Sequence, residues 1–339
     1  MEHLTEDMIK SDNYHSKPTK GSRTFVCAVD GSEGSNLAFR MMMDMRKRLD
    51  HVCLFHTYSL EKEKILPQCF RKDELRSYYE NELIHTYHLP VGKFSFDWTD
   101  RKGHTVNQIL VELLNEYKGI RNPMTPTRQI PDFFFCGFSG RKKSPSFHEL
   151  NSNNDDGKDE KESKESKEGK ESYDTICLGS TAEFASRNVH IPVIIAKKSI
   201  KNQSEQRCFI VGVDGTSLSK RGFHLLLQLV NPYDRLKLIY IFSPEQIQDR
   251  DELQKNDAIN QDIFLDYEND ILTFSPNVEY TTETLICPEN SSISHTICDY
   301  AHDHNADFIS ISPRANGGLS SVSEQIIYLS PCSVILTKN

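Results

Sequence analysis

The chain alternates short runs of consecutive apolar residues with longer segments whose apolar positions recur every three or four residues. Short uniform runs suit strands covered on both faces, and the spaced pattern suits helices laid over them. In the first half the runs fall at residues 25–29, 51–58, 132–136 and 193–196, with Phe94, Phe96 and Trp98 alternating on a further strand. Helical spacing links Leu37, Ala38, Met41, Met42, Met45 and Leu49, a face read as core packing, and then Ile109, Leu110, Leu113, Leu114 and Tyr117. The charged stretch 61–88 reads as a long helical excursion. The second half repeats the plan with strands at 209–213, 236–242, 278–286, 308–312 and 333–337, and helical patterns through Phe223, Leu226, Leu227 and Val230, then Ile293, Ile297, Tyr300 and Ala301. Five strands alternating with helices in each half predict an α/β protein of two doubly wound, five-stranded parallel sheets of Rossmann-like type. Reversal of the winding direction would set the ends of the first and fourth strands side by side, where such sheets bind ligands.

Between these elements the polar segments set the organisation. Residues 1–22 carry charge without periodicity and read as a disordered tail, 118–131 as a proline-bearing loop, and 199–206 as a linker between domains at 23–198 and 207–339. Within the first domain, 141–174 is a low-complexity insertion in which Lys158, Lys161, Lys164, Lys167 and Lys170 recur with glutamates between them. A three-residue period drifts around an α-helix, so the insertion reads as a disordered spacer. At 339 residues the chain is long enough for two such domains. A formal net charge of −9 argues against nucleic acid as a partner. Nine cysteines without a Cys-x-x-Cys, the polar start, and the absence of a membrane-length apolar run lead us to expect a reduced, cytoplasmic protein with no membrane association.

Candidate chemistry gathers at the strand ends. The first strand delivers Asp30 to its carboxyl end, and Gly31 permits the sharp turn that follows. The fourth strand runs into Gly137 and Gly140, whose backbone amides an anion can approach, and Gly179-Ser180-Thr181 opens a helix whose N-terminus favours a phosphate. Each fragment alone is commonly a turn or a cap; together, at the reversal of winding, they point to a nucleotide. Arg141-Lys142-Lys143 adjoins the second glycine, where Arg141 could neutralise phosphates or simply be solvated. No Walker motif, Ser/His/Asp order or metal-binding helix stands out, so enzymatic activity is left open, with a slow ATPase as its upper bound.

These residues resemble the universal stress protein family in tandem. Ala28 to Ser32 (Ala-Val-Asp-Gly-Ser) matches its opening, Gly137, Gly140, Gly179 and Ser180 match its Gly-x-x-Gly and Gly-Ser signature in type and order, and Pro192 to Lys197 resembles its last strand. The resemblance implies an adenine nucleotide alpha hydrolase-like fold binding ATP or a related adenine nucleotide, with magnesium as accompanying ion, through Asp30, Thr57 at the base, and Gly137, Gly140, Gly179 and Ser180 at ribose and phosphates; Gly31, Arg141 and Thr181 join the candidate nucleotide site by their positions beside these residues. It also implies a sensing or regulatory role in stress, and pairing of the domains within the chain or in a homodimer. Two departures accompany it: 38 residues separate Gly140 from Gly179, where the family has a short spacer, and the second half places Ser312, Ala315 and Ser320-Ser321 at the signature positions. The second domain is therefore expected to be degenerate, with Asp214 kept as a turn residue. The alternative is a nucleotide-free scaffold that uses the fold and the charged insertion for protein contacts.

Overall fold

Phe25, Val26 and Cys27 are fully buried in β1 (Thr24–Ala28), the strand around which the first half is laid. The computed structural model describes residues 22–102, 104–117, 131–139, 178–199, 205–242, 250–312 and 319–338. After β1 come α1 (Glu33–Met45), β2 (His51–Tyr58), α2 (Leu60–Glu63), α3 (Lys72–Asn81), β3 (Phe94–Asp100), α4 (Val106–Tyr117), β4 (Phe133–Gly137), α5 (Ser180–Asn188) and β5 (Val193–Ala196). The second half follows as β6 (Cys208–Gly212), α6 (Ser217–Leu227), β7 (Arg235–Phe242), α7 (Arg250–Phe274), β8 (Glu279–Ile286), α8 (Ile293–Asp303), β9 (Phe308–Ile311), α9 (Ser321–Leu329) and β10 (Ser333–Leu336).

The strands are ordered β3-β2-β1-β4-β5-β10-β9-β6-β7-β8, so each half is a parallel sheet that reverses its winding beside its first strand. Where two sheets are expected from sequence, the structure joins them into one of ten strands through the antiparallel pair β5–β10, with Val334 opposite Ile195 and Leu336 opposite Val193. One face is packed by α1, α3, α6 and α7 on Phe25, Leu54, Phe133, Phe209 and Phe308. The other is packed by α4, α5, α8 and α9 on Val26, Phe134, Ile195, Ile210 and Val334.

Matching bonds tie the strand starts of the two halves. Arg23 and Asp50 form a buried ion pair, and so do Arg207 and Asp234, whose closest atoms are 2.6 Å apart. Asp132 accepts from the Thr24 amide at 2.7 Å and Asp307 from the Cys208 amide at 2.8 Å. The halves also reach into one another. Lys197 Nζ donates to the carbonyls of Ile327, Tyr328 and Ser330 at 3.0, 3.0 and 2.8 Å, closing the C-terminus of α9, while Lys338 Nζ donates to Ala185 in α5 at 2.9 Å.

Two expected helices differ. The stretch 61–88 is not one helix but α2, a 3₁₀ turn at Gln68–Phe70, α3 and a wider turn at Glu82–Thr86. Pro67 lies between the first two, where a missing amide cannot extend a helix. Leu49 does not continue the face of α1, because Arg46 is extended and ends the helix, leaving Leu49 58% exposed in the following turn. The methionines do pack inward, Met43 with Met41, Met42 and Met45. The expected tail lies outside the described residues apart from Ser22, as does the whole insertion 141–174.

Candidate functional site

The carboxyl edge of the first half is built by five chain segments. β1 pairs with β2 and β4 in parallel, with Ala28 opposite Phe55 and Cys27 opposite Phe135, so Asp30, Thr57 and Phe138 emerge together just past the paired residues. Asp30 Oδ1 accepts from the Ser32 amide at 3.0 Å and the Ser32 hydroxyl at 2.6 Å, while the Asp30 amide donates to Ser35 Oγ at 3.2 Å. Ser32 in turn caps α1. Gly31 has φ +81°, in the left-handed region, and a Cβ there would lie 2.9 Å from both Phe70 and Leu75. The Asp-Gly pair thus makes a tight turn that starts a helix.

Thr57 is buried, and its hydroxyl oxygen accepts from Arg101 Nε at 3.1 Å. Arg101 follows β3, and the pairing of Thr57 with Thr99 is what brings it there. Burial lowers the guanidinium pKa, and the nearby Asp30 carboxylate acts in the opposite sense. Sequence reasoning missed Arg101, because its link to Asp30 and Thr57 exists only once β2 and β3 are in register. His56 donates from Nδ1 to the Val29 carbonyl at 2.7 Å and packs on Trp98, with ring centroids 5.1 Å apart, which makes it a packed residue of the strand end.

At the end of β4, a Cβ on Gly137 would come within 2.3 Å of Gly34 C, and one on Gly34 within 2.3 Å of the Ser139 carbonyl oxygen. Gly137 therefore lets the first turn of α1 lie directly on β4, and Gly34, also missed from sequence, is its complement. Gly179 donates its amide to the Phe138 carbonyl at 2.7 Å, so the two described ends flanking 140–177 are joined beside the crevice. Gly179 is the N-cap of α5 without a side-chain capping bond, followed by exposed Ser180 and half-buried Thr181. Gly140 and Arg141 lie outside the described residues. Among the described residues no group of three or more His, Cys, Asp or Glu side chains is placed to hold a metal ion.

In the second half the same edge carries other chemistry. Asp214 repeats the turn, accepting from the Thr216 amide at 2.9 Å and hydroxyl at 2.7 Å, with Gly215 at φ +75°. Its parallel sheet, with this Asp-Gly turn after the first strand and a serine cap before the last helix, is a complete copy of the architecture. Residues 207–338 match the universal stress protein family. No curated protein matches the sequence of the chain. Solved structures share its overall fold, two of them over most of the chain. A universal stress protein from Archaeoglobus fulgidus DSM 4304 is 15% identical, covering 94% of this chain and 98% of its own, with TM-score 0.54. A functionally unknown protein from Pseudomonas aeruginosa PAO1 is 10% identical, covering 94% and 92%, with TM-score 0.51.

The universal stress protein domain thus lies in the half whose signature departs most from the family's, and the first half repeats its strand order. Within that domain Ser312 stands where β4 has Gly137, and its hydroxyl bonds Thr337 Oγ1 at 2.7 Å. Gly222 of α6 makes room, since a Cβ there would lie 2.2 Å from Ser312 Oγ. The Ser312 side chain is therefore engaged in packing against α6 and in the bond to Thr337. Ser320 caps α9, accepting from the Ser323 amide at 3.1 Å, where Gly179 leaves α5 without such a bond. Ile241 and Cys287 occupy the positions of Thr57 and Arg101, the amides of Arg101 and Cys287 bonding alike to Tyr58 and Phe242 at 2.8 and 2.9 Å.

Proposed function

We propose that this protein is a universal stress protein-like regulator whose first half binds one adenine nucleotide, ATP or a relative, in the crevice between β1 and β4. The observation that carries the reading is the difference between two equivalent helix starts: α9 is capped by Ser320, whereas α5 begins at Gly179 without a side-chain cap, held to β4 by the Phe138 carbonyl. The amides of a helix start, with the helix dipole behind them, favour an anion. Asp30 would take a ribose hydroxyl, Thr57 and Arg101 would face the base, and Ser180 and Thr181 would hold phosphates, with Gly140 and Arg141 completing the loop. Magnesium would accompany the phosphates. The second half would serve as the pairing partner through β5–β10, so that nucleotide occupancy biases the joint or a surface beside it. The domain bounds 23–198 and 207–339 and a cytoplasmic location belong to the same proposal; among the described residues no helix is long and apolar enough to cross a membrane.

A nucleotide-free scaffold is the competing reading, and the identical turn bonds of Asp30 and Asp214 favour it, because they explain both aspartates by folding alone. Calorimetric titration of ATP into the full chain separates the two. One site per chain, lost in Ser180→Glu, is expected from the proposal. Glutamate suits the first turn of a helix, so this variant folds while repelling phosphate. Absence of binding heat at millimolar ATP would leave the scaffold.

A further inference from the structure

The joint between the halves is short: β5 and β10 pair from Val193 to Ile195 and from Val334 to Leu336. Side chains that cross from one half to the other reinforce it, and they differ in weight. Arg187 of α5 and Glu324 of α9 form an ion pair whose members are 44% and 39% exposed, and water screens such a pair. Arg23 donates to the Gln228 carbonyl and so ties the start of β1 to the end of α6. Lys197 closes the last carbonyls of α9, a folding role that cations take at many helix ends. Lys338 is different. It lies two residues beyond β10, is 6% exposed, and its Nζ donates at 2.9 Å to Ala185, whose carbonyl already accepts from the Val189 amide at 3.2 Å. Lys338 thus fastens the second half to the helix whose start is the candidate phosphate site.

α5 is nine residues long, and at about 1.5 Å per residue Ala185 stands roughly 7.5 Å along the axis from Ser180. Helices shorter than about 12 residues hold their shape through their contacts rather than through propensity. Gly179 gives this helix no side-chain cap, so its first turn gains most from an anion, while its last turn is held by Lys338. A helix this short orders as a unit, so what is gained at one end is felt at the other. The lysine responds in the same sense: with α5 loosened, a buried ammonium would lose its carbonyl where water does not replace it. We infer, on the crevice reading above, that Lys338 transmits occupancy of the α5 start to the second half, steadying β10 and the helix α9 that leads into it. Coupling of this kind is reciprocal, so Lys338 in turn raises the affinity of the crevice for its anion.

Hydrogen exchange of the full-length protein, followed by mass spectrometry with and without saturating ATP, reads this coupling segment by segment. In the wild-type protein ATP is expected to slow exchange in residues 178–188, which hold α5, and in 321–338 of the second half, in both cases more than in 217–227 of α6, the reference for global stabilisation. Lys338→Met keeps the aliphatic stem and removes the ammonium. It should still bind ATP by calorimetry, about fivefold more weakly, the low end of coupling between sites, and keep the protection of 178–188 while losing that of 321–338. Lys197→Met, at the same joint, should speed exchange at the end of α9 with or without ATP and leave the ATP-dependent protection of β10 in place. The wild-type comparison stands without any variant. ATP heat with no more protection of 321–338 than of α6 in the wild type, full protection of 321–338 in Lys338→Met, or its equal loss in Lys197→Met would each overturn the coupling. Absence of ATP heat would remove the crevice reading and this coupling with it.

Discussion

Gly137 and Gly34 approach so closely that a single added methyl group has nowhere to go: a Cβ on Gly137 would stand 2.3 Å from Gly34 C. Gly137→Ala is therefore expected to destabilise the protein by about 1–3 kcal/mol through overpacking, read as a lower denaturation midpoint. Gly212→Ala, whose Cβ meets only Ile311 at 3.9 Å, should change stability by less than about 1 kcal/mol; equal losses at the two sites would refute the packing role. Asp30 and Gly31 were legible in sequence because a turn after a strand is a local event. Gly34 and Arg101 were not, because each acts on a residue distant in sequence: Gly34 on Ser139, and Arg101 on Thr57 through strand register. Ser312 shows the reverse case, a substitution visible in sequence whose consequence depends on Gly222 of a neighbouring helix.

Strands were the most legible elements, since a sheet covered on both faces needs uniformly apolar runs and β4, β5 and β6 have them. Helix ends were less so: α1 stops short of Leu49 because Arg46 turns extended, which periodicity alone does not record. The ion pairs that fasten strand starts carry a prediction at this scale. Asp234→Ala would leave Arg207, with no exposed surface, buried without its carboxylate, at a cost of about 3–5 kcal/mol. A loss below about 1 kcal/mol in chemical denaturation would contradict a buried pair. Burial likewise orders thiol reactivity. Cys27, Cys53, Cys136, Cys208, Cys287, Cys298 and Cys332 are buried and Cys69 is exposed, so among these eight, brief alkylation of the native protein should label Cys69 alone by mass spectrometry. Rapid labelling of Cys136 would place β4 outside the core.

Across the whole molecule, buried titratable groups set the response to alkali. Burial pushes the thiols of Cys136 and Cys298 up to about 12 and of Cys332 to about 11, and the hydroxyls of Tyr87 and Tyr267 to about 12. In the unfolded chain these groups ionise near their ordinary values of 9.0 and 10.0, so above pH 9 the unfolded state sheds protons that the folded state retains. Stability is lost as pH rises through that window. Lys197 and Lys338, lowered by burial to about 8, act oppositely between there and 10.5. Thiols and phenols outnumber them, so the melting temperature should fall from pH 9 to 11, and a rise over that interval would contradict this balance. The continuous sheet and the lysines crossing the β5–β10 joint further predict one cooperative unfolding transition for both halves.

By the proposed reading the two copies of one architecture differ in ligand binding: the first starts α5 at Gly179, without a side-chain cap, and carries Thr57 and Arg101, whereas the second carries Ser320, Ile241 and Cys287 in the corresponding places. Stoichiometry tests it most directly. Calorimetric titration of ATP into the full-length protein should give one site per chain that Ser180→Glu abolishes, whereas no binding, or two equal sites per chain, would contradict the account.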